Sequence, residues 1–379
     1  LLSDAVHKLA SDIHFEPETQ FLRIRYRIDG VLRQVRSLHM RYWAAMVVRL
    51  KVMAGMNIAE TRAPQDGRIS LMISGRPVDF RSAVQPTIHG ENFVLRILDR
   101  KRGIVPLDGL GLSDAQLHSM HLMLSRPEGI MLITGPTGSG KTTTLYSILG
   151  HLNEEGVNIM TLEDPVEYPM QMIRQTSLSD AVKMDFAEGI RSMMRQDPDI
   201  ILVGEIRDKD TAEMALRAAM TGHQVFSTLH TNSAVRSIPR LIDLGIRPDV
   251  LAGNIIGIVA QRLVRTLCPH CKTPHEPTPI ELELLGLQLG QSHSLYRPVG
   301  CDKCERTGYR GRTSILELLK FDAGLDELVA QHASLKTLND YVLSNGFVTM
   351  AQDGMRRVRE GVTTVEEIGR VVDLTELIR

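Results

Sequence analysis

Gly135-Pro136-Thr137-Gly138-Ser139-Gly140-Lys141-Thr142 satisfies G-x-x-x-x-G-K-[ST] at every fixed position. An apolar run at 130–134 precedes it, and a helix-forming run opening at Thr143 follows. Glycines let such a loop wrap an anion with its backbone N–H groups turned inward. The helix start behind it adds partial positive charge. Lys141 should reach the β- and γ-phosphates, and the Thr142 hydroxyl should ligate Mg²⁺. The loop therefore marks a nucleoside triphosphate site and leaves adenine and guanine open.

Outward from the loop, short apolar runs at 130–133, 158–162, 200–203 and 224–227 alternate with polar or helical segments. That alternation predicts an α/β fold with a mostly parallel sheet. Parallel sheets carry their chemistry just past the carboxyl ends of strands. Two acidic clusters stand there, Glu163-Asp-Pro-Val-Glu167 and Gly204-Glu205-Ile-Arg-Asp208. A hydrolytic site needs one carboxylate for water and another for the metal shell. Gly204 stands where a metal-ligating Asp is usual, so Glu205 is expected to act through a metal-bound water. His223 and His230 flank a later strand, and one of them is expected to contact the γ-phosphate.

Residues 1–102 read as a separate small α/β domain. Phe21 to Val35 alternates apolar residues with Arg23, Arg25 and Arg27 and is broken by Asp29-Gly30, a hairpin signal. The arginines are expected to face solvent or a neighbouring subunit. Residues 42–53 read as a helix, and further strands are expected at 68–73, 78–84 and 92–98. Gly and Pro make 103–111 a linker. Residues 313–379 are expected to be helical. Gly361 ends one helix, and Thr364-Val-Glu-Glu367 forms a capping box that opens the last.

All four cysteines fall in two Cys-x-x-Cys pairs, Cys268/Cys271 and Cys301/Cys304. Four thiolates suit a closed tetrahedral Zn²⁺ site with a structural role. The loop between the pairs is longer than the common spacing.

Composition narrows the possibilities. The 379 residues are 43% hydrophobic and 23% charged, a globular profile for two or three domains. A net charge of −1 and 4% aromatics argue against binding driven by nucleic-acid phosphates or base stacking. No apolar run is long enough to span a membrane. The chain begins at Leu1, and an upstream N-terminal recruitment domain is expected.

Taken together, the phosphate loop, Thr161-Leu-Glu-Asp-Pro-Val-Glu167, Val203-Gly-Glu-Ile-Arg-Asp208 and Thr221-Gly-His223…Ser227-Thr-Leu-His230-Thr-Asn232 resemble four boxes of the type II/type IV secretion ATPases. These are Walker A, the aspartate box, an atypical Walker B and the histidine box. Ser11-Asp-Ile-His-Phe-Glu-Pro17, Arg27-Ile-Asp-Gly30 and Pro64-Gln-Asp-Gly-Arg68 resemble the second N-terminal domain of these motors. The four-cysteine insertion resembles assembly rather than retraction motors. Tyr309-Arg-Gly-Arg312 and the stretch from Asp353 to Glu367 look closest to the type II secretion ATPase (GspE) family, with a type IV pilus assembly ATPase as the alternative. A nucleic-acid translocase on a RecA-like core is a more distant one.

The resemblance implies a RecA-like P-loop ATPase core at 112–267, a zinc subdomain at 268–312 and a helical tail at 313–379. It implies a homo-hexamer that hydrolyses ATP between subunits. It implies a cytoplasmic position at the inner-membrane face, held there through a membrane platform and a cytoplasmic recruitment domain, with no nucleic acid as partner. It makes Glu163 the catalytic base and Glu205 the metal-shell residue. It aims Arg81 and Arg96 of the N-terminal domain at the phosphates, and gives Arg191 and Arg195 as a second basic pair on a helix.

Overall fold

The computed structural model describes residues 1–99, 105–178, 184–287 and 295–378. The chain divides into two compact units, Leu1–Gly103 and Ile104–Arg379.

The first unit runs α1 (Leu2–His7), β1 (Asp12–Pro17), β2 (Phe21–Ile28), β3 (Val31–His39), α2 (Trp43–Ala54), β4 (Gln65–Ile73), β5 (Arg76–Thr87) and β6 (Gly90–Leu98). Its six strands form one antiparallel sheet in the order β3-β2-β1-β6-β5-β4. In β2, Leu22, Ile24, Tyr26 and Ile28 are buried and the intervening arginines are not. Asp29 (φ 49°) and Gly30 (φ 81°) are both left-handed, the backbone a two-residue hairpin turn requires. Phe15 stacks on Trp43 of α2 with ring centroids 6.0 Å apart. The arginines of β2 are not left to water. Arg25 gives Nε and Nη2 to Glu16 at 2.8 and 2.5 Å, and Arg23 gives Nε to the same carboxylate at 3.0 Å.

The second unit continues with α3 (Asp114–Leu124), β7 (Gly129–Thr134), α4 (Lys141–Leu152), β8 (Ile159–Glu163), β9 (Arg174–Ser177), α5 (Phe186–Met193), β10 (Ile200–Val203), α6 (Lys209–Met220), β11 (Gln224–Leu229), α7 (Ser237–Asp243), α8 (Pro248–Leu251) and β12 (Ile255–Leu267). There follow β13 (Thr273–His275), α9 (Pro279–Leu285), β14 (Leu295–Arg297), β15 (Tyr309–Lys320), α10 (Ala323–Ala330), α11 (Leu335–Ser344), α12 (Met350–Arg359) and α13 (Val365–Gly369). Seven strands form the main sheet, β15-β12-β7-β11-β10-β8-β9, parallel throughout except for β15 at one edge. Strands β7, β10 and β11 are buried at every residue. Period two sends Ile130 and Leu132 into the core under α5 and α6, and Met131 and Ile133 into the core under α3 and α4.

Two expectations are corrected. Residues 105–111 are not a free linker. Leu107–Leu110 form a 3₁₀ turn, Leu107 enters the core with Met120 and Met123, and the Ser314 hydroxyl donates to the Leu110 carbonyl. Apolar anchors at 107 and 110, with left-handed Gly111 (φ 81°), outweigh the loosening effect of the glycines. The rest of that stretch, 103–104, and residues 100–102 lie outside the described residues. The helical tail does not begin at 313 either. Residues 309–320 are β15, paired along the length of β12, and helix resumes at Ala323.

Candidate functional site

The sheet's topology brings the site together. Thr134 ends β7 beside Leu229 of β11 and Ala260 of β12, so the loops leaving these strands share one edge. The Thr134 hydroxyl donates to the Leu229 carbonyl at 3.1 Å and accepts the Thr231 backbone N–H at 2.8 Å. The phosphate loop follows at once. Gly135 (φ 147°) leaves no room for a side chain, since a Cβ there would stand 2.6 Å from the Gln261 carbonyl and from Ser139 Oγ. Gly140 (φ 92°) caps α4. Pro136, Thr137 and Gly138 form the exposed rim. Ser139 Oγ is buried without a hydrogen-bond partner. Lys141 Nζ donates to the Gly135 and Pro136 carbonyls at 2.8 and 3.2 Å. Burial lowers the Lys141 pKa, the Glu205 charge opposes that, and Arg262 adds to it. Thr142 is exposed in the first turn of α4 and Thr143 half-buried behind it. The glycine cradle, the half-buried lysine and an exposed hydroxyl fit a Mg-nucleotide.

Glu205 follows β10 by two residues. Its Oε1 is 2.5 Å from Arg207 Nη2. Its Oε2 is buried, makes no hydrogen bond among the described residues and stands 3.5 Å from His230 Nε2. Glu163 is arranged differently. Its side chain is buried, Oε2 accepts from the Tyr146 hydroxyl at 2.5 Å, and Oε1 accepts from Thr161 at 2.5 Å and Gln175 at 3.3 Å. Burial raises its pKa, partly offset by those three donors. So of the two carboxylates expected to serve the site, only Glu205 has an uncommitted oxygen.

Two placements differ from expectation. His223 lies at the amino end of β11, the end remote from the phosphate loop. Its Nδ1 is 2.9 Å from the Ala218 carbonyl and its own carbonyl accepts the Gly129 N–H. A six-residue strand, about 20 Å long, separates it from the site. It closes the α6–β11 turn. Arg191 and Arg195 are exposed, but they do not share a helix face. α5 ends at Met193, and Arg195 folds back to donate to the Arg191 carbonyl at 3.0 Å. Arg191 Nη2 lies 3.9 Å from Met214 Sδ.

Sequence reasoning missed Gln261 and Arg262. Gln261 is buried at the end of the parallel stretch of β12. It donates to the Ser139 carbonyl at 2.7 Å and accepts from Thr144 at 2.8 Å, which braces the loop from both sides. Arg262 Nη2 reaches Asn232 Oδ1 at 3.2 Å, tying β12 to the segment after His230. Their signal was available: two polar residues close the apolar run at 255–260, as acids close the other strands.

In the first unit, Arg96 sits on β6 and Arg81 opposite it on β5. Arg96 Nε donates to Asp12 Oδ1 at 3.2 Å.

The four cysteine sulfurs lie within 4.8 Å of one another, with Cys268–Cys301, Cys271–Cys304 and Cys301–Cys304 at 3.9, 3.8 and 3.7 Å. Tetrahedral ligands at about 2.3 Å from a zinc ion stand about 3.8 Å apart. Backbone N–H groups of Gly300, Cys301 and Gly308 point at Cys271 and Cys304 sulfurs at 3.2–3.3 Å, as thiolates require. The donor set fits a closed metal site.

A buried parallel sheet, a glycine phosphate loop and acids at the neighbouring strand ends define a RecA-like P-loop ATPase. The model of the type II/IV secretion system protein family matches residues 1–370. Type II secretion system protein E of Pseudomonas aeruginosa is 48% identical over 371 residues, covering 98% of this chain and 74% of that protein. Type II secretion system ATPase E of Vibrio cholerae is 46% identical over the same shares. The Legionella pneumophila ATPase DotB superposes with a TM-score of 0.73 at 22% identity, over 98% of this chain and 93% of that one, a likeness of fold. The chain belongs to the type II/IV secretion system protein family.

Proposed function

We propose that this chain is the Mg-ATP-driven motor subunit of a type II secretion system, a homo-hexamer that powers pseudopilus assembly and protein export. One observation carries the reading. A phosphate loop whose Gly135 leaves no room for a side chain shares a strand-end edge with Glu205, whose Oε2 has no hydrogen bond among the described residues and whose charge is felt at Lys141. The loop N–H groups and Lys141 would hold the β- and γ-phosphates. Thr142, and Glu205 through water, are the residues that would hold Mg²⁺, which when bound neutralises phosphate charge. His230, beside Glu205, reports the γ-phosphate. Glu163 serves as base once its bond to Tyr146 is exchanged for one to water, and its burial-raised pKa suits a proton acceptor.

Arg81 and Arg96 supply charge to the transferring phosphoryl, a contribution worth ~10³–10⁵ in rate in comparable enzymes. The four cysteines hold one structural Zn²⁺. The relatives' names support type II secretion. The motor works at the cytoplasmic face of the inner membrane, attached through a platform protein and a cytoplasmic recruitment domain. Among the described residues no helix is long and apolar enough to cross a membrane.

The test is ATP turnover with partners added. Purified recruitment domain with the cytoplasmic part of the platform should raise the rate severalfold, and DNA or RNA should leave it unchanged. Stimulation by nucleic acid alone would instead identify a translocase.

A further inference from the structure

Strand register lines up charges across one face of the first unit's sheet. Arg68 on β4 is opposite Arg81 on β5, Arg81 opposite Arg96 on β6, Arg96 opposite Asp12 on β1, and Asp12 opposite Arg27 on β2. Residues directly opposite share a face, and like charges so placed repel. Asp12 is the single acid in that row. It is 7% exposed, whereas the Arg96 side chain is 55% exposed.

The manner of contact matters. Asp12 Oδ1 accepts from Arg96 Nε at 3.2 Å. Oδ2 accepts from the Ser11 hydroxyl at 2.8 Å and lies 3.7 Å from Arg27 Nε. Asp12 thus grips Arg96 below its fork, and neither Arg96 Nη group makes a hydrogen bond among the described residues. Neighbouring arginines are committed further out: Arg25 through Nη2 to Glu16, Arg23 through Nη2 to Glu18, Arg68 through Nη2 to Asp79, and Arg27 through Nη1 to the Gly30 carbonyl.

We propose that Asp12 is the positioning residue of Arg96, holding the guanidinium by Nε so that its two Nη groups are presented together to phosphate oxygens. A planar fork matches a phosphoryl group bidentately. A free arginine side chain has many rotamers to lose, and an anchor at Nε removes part of that freedom before the nucleotide arrives. The proposal rests on the reading of Arg96 as directed at phosphate.

Turnover and nucleotide affinity are measured for Asp12→Ala, Asp12→Asn, Arg96→Ala and the doubles. Asp12→Ala should lower kcat about tenfold with the ATP dissociation constant unchanged, both measured below the melting temperature, which falls as the arginine row loses its acid. Asp12→Asn keeps an acceptor and should restore part of the rate. In the Arg96→Ala background neither change should matter. Wild-type kcat in Asp12→Ala beside an impaired Arg96→Ala overturns the proposal, as do losses that multiply. Wild-type kcat in Arg96→Ala overturns the phosphate reading itself. Should Asp12→Ala not fold, Asp12→Asn carries the same cycle.

Discussion

Position 204 is a tight place for the aspartate that a metal-ligating strand end usually carries. A Cβ there would stand 3.3 Å from Glu163 Cα and the Leu162 carbonyl, because Gly204 N–H bonds to that carbonyl at 2.8 Å. The acid therefore moves one place along, to Glu205, beside His230 and within electrostatic reach of Lys141. Glu205→Gln keeps the shape and removes the charge. It should leave nucleotide binding intact and lower turnover by about 10²–10⁴, measured as kcat against a fluorescent-nucleotide titration. Unchanged kcat would take this carboxylate out of the chemistry. Glu205 and His230 were legible because the strand-end rule applies to any apolar run with a polar stop. Gln261 and Arg262 obey the same rule, closing the apolar run at 255–260 with polar rather than acidic side chains. Of the two histidines that flank β11, His230 stands at the phosphate-loop end and His223 at the other, a distinction the strand pattern alone does not make.

At the scale of elements, long-range pairing decided what local pattern could not. Residues 313–320 hold three leucines, Glu317 and Lys320 and favour helix, yet β12 is 13 residues long and takes them as its antiparallel partner. The capping box at 364–367 is half present. Thr364 accepts the Glu367 N–H at 3.2 Å, but the Glu367 carboxylate goes to Arg265 and Arg370 at 2.7 Å. Burial pushes its pKa up, and those two arginines outweigh burial and hold it below the usual carboxylate range. The cysteine knuckles were legible outright, since their chemistry depends on side-chain type and local spacing. Metal analysis of the purified chain should find about one zinc per chain, and chelation should lower the melting temperature. Finding no metal, with freely titrating thiols, would remove the zinc.

On the scale of the whole molecule, the net charge of −1 hides large local separations. Glu16, Asp12 and Asp79 each engage arginines on one sheet face, and Glu205 faces Lys141 across the strand ends of another sheet. The two-unit division, the hairpin turn and the parallel core were visible in period and turn chemistry. The packing of 105–111 was not, because it depends on apolar contacts with residues distant in sequence. The central claim is that the glycine loop drives Mg-dependent ATP hydrolysis. Lys141→Ala tests it most directly, by phosphate release from the purified, folded chain. The account predicts Mg-dependent turnover in the wild type and none above background in the variant; a variant that releases phosphate at the wild-type rate would contradict it.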